Sequence, residues 1–540
     1  MAFDAIIIGS GFGGAITACR LAQKNLRVLV LERGRRWGRG TFPRGLDDPW
    51  LWSHDHPETR NGWLDLRRFP GMTVAQGAAV GGGSLIYANV SCEAPKAFDW
   101  GWPPGITYDA LKPHYDAVAA MMGVQTVPVN QWTKRMHLMR EAADSAGHSA
   151  RFHPLEVAIT FDPALTSADM PRDPRAVVFR PNQHGALQGT CAHLGNCDVG
   201  CDVLAKNTLD LNYLYVAEER HKADVRSSCL VDRIERLANG AYRVSYDHLT
   251  PAGRQPQSET APIVIVAAGS LGSTELLLRA RDVHRTLPAL SQRLGRGWSA
   301  NGDFLTPAFY DRSVDAHIGP TIGSAIDFQD GRRDHLSFWI QDGGIPDLAI
   351  GYLLHKLQDP KTGATARAVL TALRDSLSKA DPLRLVMPWF AQGVDAGDGV
   401  LSLTRPGFFS DGGELGLDWN VRRSRPLIRA IIDMHELLSQ KTGGKALVPP
   451  SWSLFGELIT PHPLGGCNMG TSARDGVVDS AGQVFGYPNL YVADGAIVPR
   501  ALGVNPSRTI GALAELIAAG IVSRRESSPV PRPLADLSDA

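Results

Sequence analysis

The sequence predicts a mixed α/β protein in which one unit is assembled from separated stretches of chain, and three observations predict it. Phe3 to Ile8 is a short apolar run that leads into Gly9-Ser10-Gly11-Phe12-Gly13-Gly14 and then a helical stretch from Ala15 to Gln23. A second strand, glycine turn and helix follows far downstream: Ile263 to Ala267, then Ala268-Gly269-Ser270-Leu271-Gly272-Ser273-Thr274-Glu275, then Leu276 to Arg281. Beyond residue 455 glycine-marked loops return, carrying His462 and Asn505.

The opening turn has the pattern of a dinucleotide site. Gly9 permits the tight turn, Gly11 lets the backbone approach a pyrophosphate, and Gly14 lets helix and strand pack closely. A second apolar run, Val28 to Leu31, ends in Glu32, eighteen residues after Gly14, where a carboxylate can accept hydrogen bonds from an adenosine ribose. Phe12, Gly13 and Arg33 are counted with the same site. The helix start supplies N–H groups and a positive dipole for phosphates. A GxGxxG string alone often marks an ordinary turn; its place between strand and helix, with the acid at this distance, favours the dinucleotide.

The chain is again glycine-dense from Gln76 to Leu85, with apolar flanks at Val74, Val80, Leu85 and Ile86. That favours backbone passing close to something flat or anionic over a mobile surface loop. Val225 to Leu237 and Tyr242 to Tyr246 alternate like strands of a small sheet. From about 300 to 455 the text changes, with Trp339, Trp389, Phe390, Phe408, Phe409 and Trp419 among alternating runs such as Leu348 to Leu354. That stretch reads as a strand-and-helix unit with an apolar interior. Ile510, Leu513, Ala514, Ile517 and Ile521 follow helical spacing and predict a core-facing helix. The residues from 526 to 540, with Pro529, Pro531 and Pro533, read as a flexible tail.

Composition is that of an ordinary globular enzyme: 540 residues, 44% apolar, 20% charged. Lys plus Arg and Asp plus Glu balance at 55 each, so no net field or basic stripe draws the chain to nucleic acid. No run reaches the roughly 18 apolar residues of a membrane span, and no leader precedes the first strand, so a cytoplasmic location is expected. Seven cysteines, an odd number, argue against a disulfide framework. Three of them, Cys191, Cys197 and Cys201, form Cys-x5-Cys-x3-Cys. They read either as packing cysteines or as three soft ligands, which suit an iron–sulfur cluster better than a four-ligand zinc site.

Taken together these motifs resemble the glucose–methanol–choline (GMC) oxidoreductases, and among them the cholesterol-oxidase-like branch. The likeness covers nearly the whole chain. It rests on Gly9 to Gly14 with Glu32, on Val80 to Leu85, on Ala205 to Leu214 and on Ala267 to Leu277. The C-terminal block adds His462-Pro463-Leu464-Gly465-Gly466-Cys467, Asn489 to Gly495 and Gly503-Val504-Asn505-Pro506. The resemblance implies a Rossmann-like FAD-binding domain built from 1–110, 180–300 and 455–525. It also implies a substrate domain, 111–179 and 301–454, with a large, mostly antiparallel sheet. By the same resemblance Asp494 and Gly495 contact the ribityl and pyrophosphate region, and Val231 meets the adenine through its backbone. Gly82, Gly83 and Asn89 pass beside the isoalloxazine. No residue in these motifs offers a covalent flavin link, so FAD is expected to be dissociable. The cysteine spacing is also similar to that of bacterial FAD glucose dehydrogenases holding a three-iron cluster.

Oxidising an alcohol removes a hydroxyl proton and a hydride from one carbon, and a flavin accepts the hydride. His462 suits the proton, since an imidazole can accept it near neutral pH. Asn505 suits positioning, because its amide donates without competing as a base. Pro506 then opens the last helix, whose N-terminus would stabilise negative charge on a reduced flavin. Outside this context His462 would read as a loop residue and Asn505 as a turn starter; His153, His184 and His193 are read as structural. Cholesterol oxidases also move a double bond with a carboxylate, and here Gln341 falls at that position, with Asp342 beside it. An amide cannot shuttle that proton.

The expected activity is therefore FAD-dependent oxidation of a hydrophobic cyclic secondary alcohol, sterol- or terpenoid-like, to a ketone, with oxygen or an electron-acceptor partner taking the electrons. The rival activities are flavin-dependent desaturation of a cyclic ketone and electron carriage without substrate chemistry. An NAD-dependent dehydrogenase would leave the later glycine blocks unexplained.

Overall fold

The computed structural model of the chain describes residues 3–45, 50–99, 101–166, 172–331, 335–346, 382–404 and 413–527. Its first sheet is five-stranded and parallel, in the order Asp224–Arg226, Val28–Leu31, Ala5–Ile8, Ile263–Val266, Leu490–Val492. Every residue of the three middle strands is buried, which parallel strands require because connections cover both faces. The helix Phe12–Ala22 leaves the first strand through Gly9, which sits at φ 97°. A Cβ on Gly14 would stand 2.0 Å from the carbonyl oxygen of Gly9, so only glycine lets helix and strand approach this closely.

The C-terminal helix, Ser507–Ser527, packs against Phe12–Ala22 and Tyr108–Met122, and buries Leu513, Ala514, Ile517 and Ile521 as the spacing predicts. Its one buried acid, Glu515, is bound by Arg20 through two 2.7 Å contacts and by the Tyr213 hydroxyl at 2.7 Å. Among the described residues no helix is long and apolar enough to cross a membrane.

The second large sheet is antiparallel throughout, in the order Lys445–Ala446, Phe304–Phe309, Val386–Gly393, Phe338–Asp342, Ser324–Asp327, Phe152–Pro154. The helix Val421–Lys441 lies against it with Leu427, Ile431, Met434 and Leu438 inward, a helical stripe that buries the sheet's outer face. Trp389 and Trp339 are buried in this layer, as expected for an apolar interior.

The expectation of one small sheet from Val225 onward needs correction. Asp224–Arg226 is the edge strand of the parallel sheet, whereas Cys229–Arg236 begins a separate three-stranded antiparallel sheet. The break is at Ser228, whose φ of 57° turns the chain. The third strand of that sheet, Gly253–Ala261, is mostly exposed and polar and therefore lacks the alternation that reveals half-buried strands. The Leu348 to Leu354 run, Phe408, Phe409 and the tail beyond Ser527 lie outside the described residues.

Candidate active site

His462 follows the short strand Leu458–Thr460, which pairs parallel with Met72–Gly77. Its backbone N–H donates to the Thr460 hydroxyl at 2.9 Å, and that hydroxyl donates to Asp303 Oδ2 at 2.5 Å. The imidazole meets the same carboxylate: Nδ1 lies 2.9 and 3.0 Å from the two oxygens of Asp303. Burial pushes the proton affinity of Asp303 up, and His462 and Thr460 oppose that push. Gln392 Nε2 approaches Nδ1 at 3.3 Å, its amide oriented by Trp339, whose indole N–H donates to Gln392 Oε1 at 2.5 Å. Phe390, on the same strand as Gln392, has its ring centre 6.3 Å from that of His462.

On the other side of the ring, Asn505 Nδ2 stands 3.4 Å from His462 Nε2. The predicted pair, 43 residues apart, is therefore brought together. Asn505 is held from two directions. Gln341 Nε2 donates to its Oδ1 at 2.8 Å. Asn301 fixes the loop before it, accepting from the N–H groups of Leu502 and Gly503 at 2.9 Å each and donating to the Val504 carbonyl at 2.8 Å.

Asp303, Asn301 and Gln392 were not anticipated from the sequence. An Asn-Gly turn at Asn301-Gly302, both at positive φ, is a legible turn signal, but nothing in it points to a histidine 159 residues away. Asp342, by contrast, faces away from this group. Its Oδ1 accepts from the N–H groups of Gly323 and Ser324 and from the Ser324 hydroxyl, at 2.6 to 3.0 Å, and buried Arg135 lies 3.6 Å from Oδ2.

Two of the expected cofactor segments, the turn before the first helix and the glycine-dense loop, come together. Gly82, at φ 52°, lies so close to Gly11 that a Cβ there would be 2.6 Å from the Gly11 Cα. Above Gly83 a Cβ would meet nothing within 4 Å. The helix after Gly11 has no side-chain cap, so its first N–H groups remain available to phosphates. Asn89 is wholly buried at φ 67°, and neither atom of its amide has a partner among the described residues. A buried, unpaired amide costs roughly 1–3 kcal/mol, so its position fits a polar ligand at this point. These features fit a flavin dinucleotide.

Other residues of the set carry structural bonds. Glu32 accepts from the Ser10 N–H at 3.0 Å, the Ser10 hydroxyl at 2.6 Å and the Gly34 N–H at 2.9 Å, which holds the turn closed. Asp494 accepts from the Ala496 and Gly269 N–H groups at 2.8 Å and from the Ser273 hydroxyl at 2.5 Å, joining two glycine-marked segments that are distant in sequence. Gly495 is buried beside it. Arg33 pairs with Asp65 at 2.8 Å and stacks over Trp52; Phe12 packs edge-on to Tyr87. Val231 lies on the strand Cys229–Arg236 opposite Tyr246. The Pro506 carbonyl accepts from the Ile510 N–H at 2.9 Å and so opens the last helix.

The cluster reading of Cys191, Cys197 and Cys201 is not supported. Among the described residues no three His, Cys, Asp or Glu side chains converge to hold a metal ion, and all three thiols are free. Cys191 packs into a small core with Trp132, Ile159 and Phe161. Burial pushes the Cys191 and Cys201 thiols up. The Cys197 carbonyl is instead a 2.5 Å acceptor for Lys206, a buried ammonium that also donates to the Leu85 carbonyl at 2.8 Å. His193 is tied to the Gly319 carbonyl and Gln131, and His184 to the Met121 carbonyl.

Comparison with known proteins adds three findings. Residues 418–514 match the sequence-family model described as GMC oxidoreductase, and residues 7–57 match that of an NAD(P)-binding Rossmann-like domain. The chain is 31% identical to a cholesterol oxidase of Acinetobacter baumannii, over 95% of this chain and 93% of that one. It is equally 31% identical to a cholesterol oxidase of Mycobacterium tuberculosis, over 96% of this chain and 90% of that one. Among solved structures, pyridoxine 4-oxidase from Mesorbium loti superposes with a TM-score of 0.63 at 17% identity, covering 96% of this chain and 99% of that one, which speaks to the fold.

Proposed function

The chain belongs to the GMC oxidoreductase family, in its cholesterol-oxidase-like branch, and from that premise we propose that it oxidises a hydrophobic cyclic secondary alcohol of the sterol or terpenoid kind, with His462 as proton acceptor. Membership makes it an FAD-dependent oxidoreductase acting on CH–OH donors. FAD held in the cradle of Gly9 to Gly14, Gly82, Gly83 and Asn89, without a covalent link, supplies the hydride acceptor.

The observation that carries the reading is the convergence of His462 and Asn505 on one point. Asp303 takes the Nδ1 side of the imidazole, which leaves Nε2 to receive the hydroxyl proton as the C–H bond breaks. Asn505 Nδ2 donates to the same oxygen and fixes its distance from Nε2. Phe390 beside the imidazole gives the ring system an apolar wall. The Nδ1 carboxylate stabilises the imidazolium formed in the step, as in other carboxylate–histidine pairs. Electrons then leave to oxygen or to an electron-acceptor partner; the two relatives named as oxidases favour oxygen.

Anaerobic mixing of the FAD-loaded protein with a panel of sterols, terpenoid alcohols and primary alcohols tests this directly. Bleaching of the flavin by cyclic secondary alcohols, with the matching ketone as product, is the expected result. Bleaching by linear primary alcohols alone would overturn the substrate class, and a new C=C bond in place of a carbonyl would overturn the reaction.

A further inference from the structure

We propose that Asp198 contacts the substrate: its carboxylate accepts a hydrogen bond from a second hydroxyl group, so the preferred substrate is a cyclic diol on an otherwise apolar ring system. The inference rests on the reading of His462 as the proton acceptor, and deepens it by naming what the rest of the substrate carries.

Asp198 differs from the other carboxylates placed deep in the chain. Asp303 meets His462 and the Thr460 hydroxyl, and Asp342 collects the Gly323 and Ser324 N–H groups. Asp395 accepts from the Ser299 hydroxyl at 2.8 Å and the Ala300 N–H at 2.9 Å. Asp198 has no hydrogen-bond donor among the described residues, although burial pushes its pKa up to about 6. Its oxygens nevertheless stay accessible, since the residue is half-buried and neither oxygen is an enclosed atom without a partner. A desolvated carboxylate with accessible oxygens faces an internal space. Leaving it unpaired is costly, so that space suits a ligand that donates.

The space lies beside the pair His462 and Asn505. The cations that act on Asp198 are Lys206, Arg135 and His462. Lys206 donates to the Leu85 carbonyl at 2.8 Å and so belongs with the glycine-dense loop. Arg135 donates to the Asp342 and Gly343 carbonyls, at the end of the strand that carries Gln341. Charges act strongly only at short range, so a carboxylate that feels all three points into the interior they enclose, where the alcohol must lie.

The turn that carries Asp198 is pinned at both ends. On one side the Cys197 carbonyl accepts from Lys206 at 2.5 Å. On the other, Arg44 donates to the Val199 and Gly200 carbonyls at 2.8 and 3.0 Å and to Asp202 at 2.9 Å. The carboxylate is thus fixed before a ligand arrives, which lets one hydrogen bond discriminate. A hydroxyl is favoured over an ammonium, because Lys206 and Arg135 already balance the charge of Asp198 and repel a further cation. A neutral O–H gains a charge-assisted bond without that repulsion.

Sterol and terpenoid diols, each paired with the mono-ol that lacks the second hydroxyl, test this on FAD-loaded protein, with the second hydroxyl placed at several ring positions. For at least one pair, kcat/KM of the diol should exceed that of the mono-ol by roughly 10- to 100-fold, as one hydrogen bond to a charged group provides. Asp198→Leu should reverse the preference and raise turnover of the mono-ol; Asp198→Asn, whose amide still accepts, should keep part of it. The matching hydroxy-ketones and ketones, titrated against oxidised protein by flavin absorbance, read the same difference in Kd without catalysis. No diol preferred over its mono-ol, or a preference that survives Asp198→Leu, would overturn the proposal; the first comparison needs no variant to fold. If no alcohol bleaches the flavin while hydroxy-ketone binding depends on Asp198, the oxidation reading fails and the Asp198 contact stands.

Discussion

Gln341 and Asp342 are neighbours in sequence and face opposite sides of one strand, Gln341 toward Asn505 and Asp342 toward Arg135 and the Gly323–Ser324 turn. Strand alternation makes this unavoidable, since successive side chains point to opposite faces. The carboxylate that the sequence places beside the expected position is therefore on the wrong side of the sheet.

Double-bond migration should accordingly be absent. Given a sterol with a 5-ene-3-hydroxy group, the protein is expected to release the unconjugated ketone. The growth of conjugated-enone absorbance in step with oxidation, during the first turnovers, would contradict this.

His462→Ala should retain FAD and lose about 10²- to 10⁴-fold in kcat with the best alcohol, the usual range for general acid–base catalysis. Flavin absorbance per mole of protein and anaerobic reduction rate are the two measurements. Loss of FAD along with activity would mean that the residue is structural.

Asn89→Gly is a test of the cradle. Glycine tolerates the φ of 67°, and the amide makes no hydrogen bond within the described chain, so the FAD-free protein should melt within a few degrees of the original. FAD affinity should fall roughly tenfold, about 1.4 kcal/mol, if the amide meets the cofactor. Titration of FAD-free protein by flavin fluorescence reads it; unchanged affinity would remove Asn89 from the site.

Lys206 predicts a pH dependence of stability. Burial lowers its proton affinity to about 8, opposed by Cys197 and Asp198. Its unfolded pKa is near 10.4, so between these values the unfolded chain binds more protons and stability rises with pH. The cost of burying the ammonium is present below about 8 and is relieved as pH climbs toward the unfolded value. Comparing unfolding of the protein and Lys206→Met from pH 7.5 to 10, the difference should move in favour of lysine, by at most roughly 3 kcal/mol. A difference independent of pH would show that the ammonium is not desolvated as described.

The sequence by itself determined the parallel-sheet unit, because a buried strand, a glycine turn and a helix are each written in local residues: Ala5–Ile8, Gly9 to Gly14 and Phe12–Ala22 need no distant partner to be recognised. It also singled out His462 and Asn505 as candidates, since both sit in short glycine-marked motifs whose order along the chain is distinctive. Tertiary structure alone decided what those two residues touch. Asp303 reaches His462 across 159 residues and Gln341 reaches Asn505 across 164, and each is an unremarkable residue of a strand end in its own local text. The three cysteines show the converse: their spacing is local and suggestive, yet Cys191 is drawn into an apolar core. Spacing fixes which residues can meet, but burial and the face of the strand decide which of them do, because a side chain's partners are set by the packing of elements that are remote in sequence.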